Sequence, residues 1–331
     1  MNKHTICLLI AAVALFTLSM LMDWLRIPFI MAMVYGIAAL GVVVLLRAGQ
    51  VSFGHAMYIM VSAYTLGFAA KSFPQVDGVF LILLGTAVSF VFGMILALFL
   101  VRYRGIFFGM LNLAISMVLF TVVSKLYGLT GGTDGMQIPR PPMLGFDLNR
   151  SEYETLLLAM LLTIGVMSIL AIQKYFRSSA GMAMASIKTN EDRLEYLGIS
   201  AKKLMWQGYT ISAALCGLSG AFYGLAQGLV APEMGYWLKS GELVFISVLG
   251  GSVHAVGAFA AALMFEFVKM AASIFLGGSW QLVLGVTLIV IIYFIPEGLT
   301  SLFSNNLEND KKEKSITNFL GKNKKPKEVS S

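Results

Sequence analysis

The chain predicts an all-α, polytopic integral membrane helix bundle of about eight to ten transmembrane segments, broken or re-entrant helices among them. Three observations predict it. Hydrophobic residues make up 58% of the 331 positions and charged residues only 12%, against roughly 45–50% and 25% in soluble domains. Mean hydropathy is +0.80, and apolar runs of the roughly 17–25 residues a crossing needs recur along the chain. All of the 24 basic residues but Lys269 gather in the loops and a tail between those runs, as membrane topology demands. The net charge of +7 therefore reflects orientation in a bilayer and predicts no nucleic-acid partner. The 33 glycines suit close helix packing in lipid.

Residues 5–22 form the first apolar segment and 28–46 the second, with Pro28 in its first turn, where a missing N–H is tolerated. A cleaved leader competes for the start. No small-x-small cleavage site stands out, however, and Asp23-Trp24-Leu25-Arg26 reads as an interfacial turn after a retained span. Residues 49–70 open GQVSFGHAMY; small and polar residues there predict a broken or lumen-facing helix. Residues 78–101 span and close on Arg102 and Arg104, and 105–127 span again with Asn112 and Ser116 on one face. Residues 128–154 are a loop dense in Gly, Pro and Asp. A span at 155–172 precedes a charged loop at 174–203 and another span at 209–229. Residues 242–249 are too short to cross alone, Gly250-Gly251-Ser252 breaks the chain, and 255–276 is full length. The last span covers 281–303, with Pro296 near its end. Beyond it the chain is polar, lysine-rich and expected to be disordered. The predicted organisation is a membrane domain, 1–303, and a tail, 304–331.

With the N-terminus inside and 242–249 counted as a half-length or re-entrant piece, the chain makes ten passes. Both termini then lie in the cytoplasm, and inside segments hold 17 of the 24 basic residues. The two breaks echo each other: GQVSFGHA at Gly49–Ala56 and GGSVHAVGA at Gly250–Ala258 are both Gly-rich, carry a His and precede an Ala/Gly-containing span. Repeated breaks point at a translocation route, and chance similarity between Gly/Ala-rich stretches explains them equally well.

The loop 174–203 carries six basic and three acidic side chains, which belong on the cytoplasmic side. Within it Thr189 or Asn190 can N-cap a short helix, Glu191 and Asp192 fall in its first turn, Leu194 and Leu197 are spaced i,i+3, and Gly198 can end it in a left-handed conformation. Two turns, roughly 12 Å, are marginal without something to dock against. An interfacial loop and a surface for a soluble partner both fit.

Reactive constellations are missing. The sequence holds no HExxH, CxxC, nucleophile elbow or GxxxxGK[ST] phosphate loop. His4, His55 and His254 are too dispersed for a metal site. Cys7 and Cys216 predict no disulfide and read as small buried hydrophobes. No enzyme activity, metal or cofactor is expected, and a transporter driven by ATP would take its ATPase from another chain. Glu266 and Lys269, i,i+3 in one span, form either a structural pair or part of an ion relay. His55 and His254 either hold freed backbone carbonyls or touch a polar solute. Gly131-Gly132-Thr133-Asp134-Gly135 is either an ordinary turn or a closure over an external mouth.

Several blocks in order resemble one family: GQVSFGHAMYIMVSAYT from Gly49, YRGIFFGMLNLAIS from Tyr103, LTGGTDGMQIP from Leu129, SSAGMAMASIKTNEDRLEYLGIS from Ser178, ISAALCGLSGAFYG from Ile211, VLGGSVHAVGAFAAAL from Val248 and FIPEGL from Phe294. From about Ile30 to Phe303 the chain resembles permease subunits of branched-chain amino acid ABC importers, a family that includes urea-type permeases. The resemblance implies a multi-pass permease of the bacterial inner membrane, working by alternating access with a second homologous permease subunit, two cytoplasmic ATP-binding subunits and an extracytoplasmic solute-binding protein. It implies ATPase coupling through Lys188, Asn190, Glu191, Asp192, Leu194, Leu197 and Gly198. The route is expected along Gly49, Gln50, Ser52, Gly54 and His55, beside Asn112, and along Gly250, Gly251, Ser252 and His254. The external loop would present Gly131, Gly132, Asp134 and Gly135. Ser252-Val253-His254 and Ala258 depart from the family's usual Gly-Thr and Pro, which leaves the substrate open. Urea, a short amide or a sugar are alternatives, as is a stand-alone ion-coupled transporter.

Overall fold

The computed structural model describes residues 3–276 and 280–294, and the lysine-rich tail and Pro296 lie outside them. Helices α1 (Lys3–Leu21) and α2 (Arg26–Arg47) are joined by the single 3-10 turn Asp23–Leu25, the interfacial turn the sequence suggested. After an irregular stretch come α3 (Ala56–Ser72), α4 (Gly78–Leu100), α5 (Gly105–Lys125) and the one-turn α6 (Tyr127–Thr130). Then follow α7 (Arg150–Arg177), the short α8 (Ser179–Ile187) and α9 (Glu191–Tyr196), and the long α10 (Ala201–Gln227). The half-length α11 (Trp237–Gly250), α12 (Val256–Leu276) and α13 (Trp280–Phe294) complete the described chain. Six helical stretches among the described residues are long and apolar enough to cross a membrane: Asp23–Arg47, Gly78–Leu100, Gly105–Lys125, Arg150–Arg177, Ala201–Gln227 and Val256–Ile274.

Helix α2 lies at the centre. Every residue from Phe29 to Leu45 is buried, as expected of a helix that is apolar all round. It packs on α10, α12, α7 and α11, while α10 also packs on α3 and α4. Contact at these seams depends on small residues. A Cβ at Gly220 of α10 would stand 2.3 Å from the Ile59 carbonyl oxygen of α3, and one at Gly93 of α4 would stand 2.2 Å from Ala213 Cβ. Helices in lipid gain from such close approach because dispersion, not water exclusion, holds them together. At the other extreme α5 has only 22% of its apolar window buried, and Ile106, Phe107, Met110 and Val118 point outward.

The bundle has two ends. One carries α8, α9, the C-terminus of α2 and the α4–α5 turn. The opposite end carries the start of α2 and the 126–149 loop. There Arg26 Nη2 reaches Asp23 Oδ1 at 2.5 Å and Arg26 Nη1 reaches Ser151 Oγ at 2.8 Å, tying α2 to α7. Also at that end Met136–Gln137 pairs antiparallel with Leu229–Val230. The following 3-10 turn, Pro232–Gly235, dips into the bundle, so that Ser116 Oγ donates to the Gly235 carbonyl at 3.0 Å and a Gly235 Cβ would stand 2.6 Å from Met60 Sδ. Helix α11 therefore starts inside the bundle. The sequence expectation of a half-length element holds, with its start five residues earlier at Trp237, and Lys239 falls in its partly buried first turn. Cys7, expected buried, is exposed.

Gly220→Leu should destabilise the protein by about 1–3 kcal/mol, the usual cost of overpacking, because the displaced atoms are α3 backbone. Gly241→Ala, with nothing within 4 Å of its Cβ position, should leave the thermal midpoint in detergent within error of the parent. Equal midpoints for both variants would contradict this packing.

Candidate functional site

At the α8–α9 end the loop folds as its caps dictate. The Asn190 side chain accepts from the Arg193 N–H at 3.1 Å and caps α9; Gly198 stands just past its end at φ +77°. Glu191 makes two hydrogen bonds to Arg104, Nε to Oε2 at 2.9 Å and Nη2 to Oε1 at 2.8 Å, a fork geometry that fixes orientation as well as charge. Leu194 is buried against the chain's own body, whereas Leu197 is 75% and Tyr196 90% exposed. The two leucines thus part company: Leu197 follows the last helical residue and no longer shares the face of Leu194. Asp192 and Lys188 are exposed, and the Lys188 stem closes over Gly49, whose added Cβ would stand 2.9 Å from Lys188 Cγ. Gly49 sits at φ +73°, a conformation that glycine adopts without strain.

Arg47, the last residue of α2, joins three parts of the chain. Its guanidinium reaches the carbonyls of Phe176, Gly181 and Ser252 at 3.5, 3.4 and 3.4 Å and lies 4.4 Å over the Phe176 ring. The second break is therefore tied through Ser252 to α7 and α8. Within that break Gly251 holds φ +81°, Gly250 abuts the Gly257 backbone at 2.6 Å from its Cβ position, and the His254 carbonyl accepts from the Gly257 N–H at 3.2 Å.

The first break runs between α2 and α3 and enters the bundle. Gln50 Oε1 accepts from the Gly105 N–H at 2.7 Å, and the Ser52 hydroxyl caps the turn, accepting from the Gly54 N–H at 3.4 Å and meeting His55 Nδ1 at 2.6 Å. Ser240 Oγ of α11 accepts from the Ala56 N–H at 3.0 Å. Gly54 presses on α5, its Cβ position 2.3 Å from the Asn112 carbonyl oxygen. Beyond it a chain of polar groups crosses the bundle. Tyr58 OH donates to Tyr209 OH at 2.8 Å, Tyr209 OH donates to Asn112 Oδ1 at 2.5 Å, and Asn112 Nδ2 donates to the Phe108 carbonyl at 2.7 Å. The His55 ring stands edge-on to Tyr58 and Tyr209, 5.4 and 5.2 Å between centroids. Ser52, His55, Tyr58, Asn112, Tyr209 and Ser240 are all 0% exposed, and His55 Nε2 has no hydrogen-bond partner among the described residues.

Ser52, Gly54, His55 and Asn112 thus come together, while Ser252 is drawn to Arg47. The external-loop glycines serve a turn: a Cβ at Gly131 would stand 2.0 Å from the Gly135 carbonyl oxygen, and one at Gly135 would stand 2.3 Å from the Val230 carbonyl oxygen. Asp134 remains exposed. Sequence reasoning missed Tyr58, Tyr209 and Ser240. It also missed Lys239 and Glu242, whose i,i+3 spacing repeats that of Glu266 and Lys269 and could have revealed them.

Tyr209→Phe should cost more stability than Tyr58→Phe. The first leaves both the Tyr58 hydroxyl and Asn112 Oδ1 unsatisfied, at ~1–3 kcal/mol per buried orphan, whereas the second removes one donor from an oxygen that keeps its bond to Asn112. Denaturation of the purified variants measures the difference, and a larger loss for Tyr58→Phe would refute the order of donation.

Comparison with known proteins places this bundle. Residues 27–293 match the family model described as branched-chain amino acid transport system / permease component. The chain is 26% identical over 291 residues to the high-affinity branched-chain amino acid transport system permease protein LivM of Salmonella typhimurium strain LT2, covering 81% of this chain and 68% of that protein. It is 24% identical, with the same coverage, to LivM of Escherichia coli K12. No solved structure matches the chain significantly. The chain belongs to the family of permease components of branched-chain amino acid transport systems.

Proposed function

We propose that this chain is the membrane-spanning permease subunit of an ABC importer. It passes branched-chain or related amino acids across the bacterial inner membrane by alternating access, driven by ATP hydrolysis in partner subunits. The reading takes residues 1–303 as one transmembrane permease domain and 174–203 as its cytoplasmic coupling loop. Both termini lie in the cytoplasm. The partners are a second homologous permease, two cytoplasmic ATP-binding subunits and an extracytoplasmic solute-binding protein.

The observation that carries this reading is the construction of the α8–α9 end. A permease with no phosphate loop of its own needs a place where an outside motor can push. Here Tyr196 and Leu197 stand exposed on a short helix. That helix is pinned through Glu191 to Arg104 and lies beside α8 and its Lys188, which touches the first break. Polar residues at helix ends attract a soluble partner only weakly by themselves; exposed aromatic and aliphatic anchors supply the buried contact. The first break and its Ser52–His55–Tyr58–Tyr209–Asn112 chain then form the barrier on the route, because irregular backbone at membrane depth is found around pathways.

Reconstitution with the ATP-binding and solute-binding subunits in proteoliposomes tests the reading. ATP should drive uptake of labelled L-leucine, and Tyr196→Ala combined with Leu197→Ala should lower uptake at least ~10-fold, a loss of about 1.4 kcal/mol or more of coupling, with insertion unchanged. Leucine accumulation by this chain alone on an ion gradient would replace the reading with that of a stand-alone secondary transporter.

A further inference from the structure

At the end of the bundle away from α8 and α9, residues 143–146 close a hairpin of the tightest kind. The Met143 N–H donates to the Phe146 carbonyl and the Phe146 N–H to the Met143 carbonyl, both at 3.0 Å, which leaves Leu144 and Gly145 as a two-residue turn. Both stand at positive φ, +55° and +79°, the backbone of a type I′ turn, for which Asn-Gly and Asp-Gly are the preferred pairs. Leu144 is the one non-glycine residue at positive φ among the described residues. A bulky aliphatic residue in that region is strained. Its side chain contributes little to the fold in return, because Leu144 is 59% exposed and Phe146, across the turn, is 68% exposed.

The turn is held firmly in that shape. Asp77, the N-cap of α4, accepts from the Val79 N–H with Oδ1 and from the Gly145 N–H with Oδ2, each at 2.8 Å. The Gly78 N–H donates to the Pro142 carbonyl at 2.8 Å, and the absent side chain of Gly78 leaves room for the buried Met143. Two exposed apolar side chains are thus mounted on the first turn of α4. Most of that helix is itself exposed, and Phe80, Leu83, Val91, Ile95 and Leu98 run down its outward face, where lipid is the solvent. Phe73, also exposed, stands in the turn just before Asp77. The N–H groups of Met143, Gly145 and Phe146 are all bonded within the protein, as a turn that leaves bulk water requires.

We infer that the Leu144–Phe146 tip is a membrane-surface anchor. Its two apolar side chains enter the headgroup–acyl boundary of the leaflet at that end and continue the lipid-facing stripe of α4 past the start of the helix. A lipid surface fits the tip better than a protein does, because the tip shares its mounting with a helix that faces lipid. It also accounts for leucine at a position where asparagine or glycine would relieve the backbone: the apolar side chain gains its contact from the bilayer. The anchor is shallow, with the exposed Asp147 left among the headgroups. The inference needs only that the chain lies in a bilayer and stands whether or not the importer reading does.

The full chain in phosphatidylcholine–phosphatidylglycerol nanodiscs, with Cys7→Ala to remove the exposed thiol, provides the assay. A nitroxide is attached at Leu144→Cys and, separately, at Phe146→Cys, with Asp134→Cys on the exposed loop as the water-side control. Electron paramagnetic resonance then compares relaxation by oxygen, which concentrates among acyl chains, with relaxation by a nickel chelate, which stays in water. Both tip labels should favour oxygen severalfold more than the control does, as expected at a depth of about 5–10 Å in the boundary. Adding the solute-binding subunit to the assembled importer should leave that ratio unchanged. Tip labels as open to nickel as the control would make the tip an ordinary solvated turn and overturn the inference. Tip labels open to nickel in the bare permease and shielded by the solute-binding subunit would mark a protein-docking surface and overturn it too. Because the nitroxide is itself apolar, a second experiment labels Asp147→Cys and removes the tip with Leu144→Asn and Phe146→Ser, which suit the turn. The label should then become severalfold more open to nickel, and an unchanged ratio would show that the two side chains are not the anchor.

Discussion

Backbone released from a helix inside a membrane cannot turn to water, and the irregular segment between α2 and α3 meets that constraint with protein groups at Gln50, Gly54 and Ala56. Ser52 satisfies Gly54, Ser240 satisfies Ala56 and Gln50 in turn accepts from Gly105. Each of those partners belongs to a different stretch of chain, so α5 and α11 are positioned by the need to serve the break. Gly54 permits the approach to Asn112 that brings α5 close, and Asn112 hands the polar chain on to Tyr209 and Tyr58. A buried network of this kind rewards full satisfaction and penalises partial loss. In the proposed reading it has two discrete states, a closed one with the Tyr58–Tyr209–Asn112 bonds made and His55 Nε2 still without a partner, and an open one in which a polar solute takes over some of those bonds.

The same segment is linked outward to the α8–α9 end. Gln50 joins it to the start of α5, and the neighbouring Arg104 holds Glu191 of α9. Lys188 closes on Gly49, and Arg47 gathers the end of α7, the start of α8 and the second break into one junction. In the proposed reading a push on α9 has a short, rigid path to both breaks, carried by charged hydrogen bonds that resist rearrangement in a low-dielectric setting. The exposed side chains of Tyr196 and Leu197 are then surface for a partner, and Leu194 is the anchor that keeps the short helix on the bundle.

Much of the architecture was legible because lipid simplifies the code. Apolar runs mark the long helices, and the glycine pair at Gly250 marks the end of a half-length one. Asn190 and Gly198 bound α9 by local chemistry alone. What stayed hidden is tertiary. Hydropathy alone does not distinguish α2, buried on every side, from α5, which is mostly exposed, since both are strongly apolar on average. Tyr58 and Tyr209 look like ordinary aromatic residues within spans until α3 and α10 are seen side by side. Lys239 carries a sign that reads as a loop, and only the inward dip of Pro232–Gly235 shows why it stands half-buried beside Glu242. Leu194 and Leu197, spaced i,i+3, do not share a face because α9 ends at Tyr196, and periodicity over two turns does not say where a helix stops.

The central claim is that the Ser52–His55 segment and its polar chain form the closed barrier that the α8–α9 end controls. Hydrogen–deuterium exchange at the amides of Gly54 and Ala56 tests it most directly, comparing the assembled importer at rest with the same complex trapped after nucleotide binding. The account predicts strong protection at rest and its loss on trapping, confined to this segment and the facing turn of α5. Protection that is unchanged by nucleotide, with exchange rising elsewhere in the bundle, would contradict it.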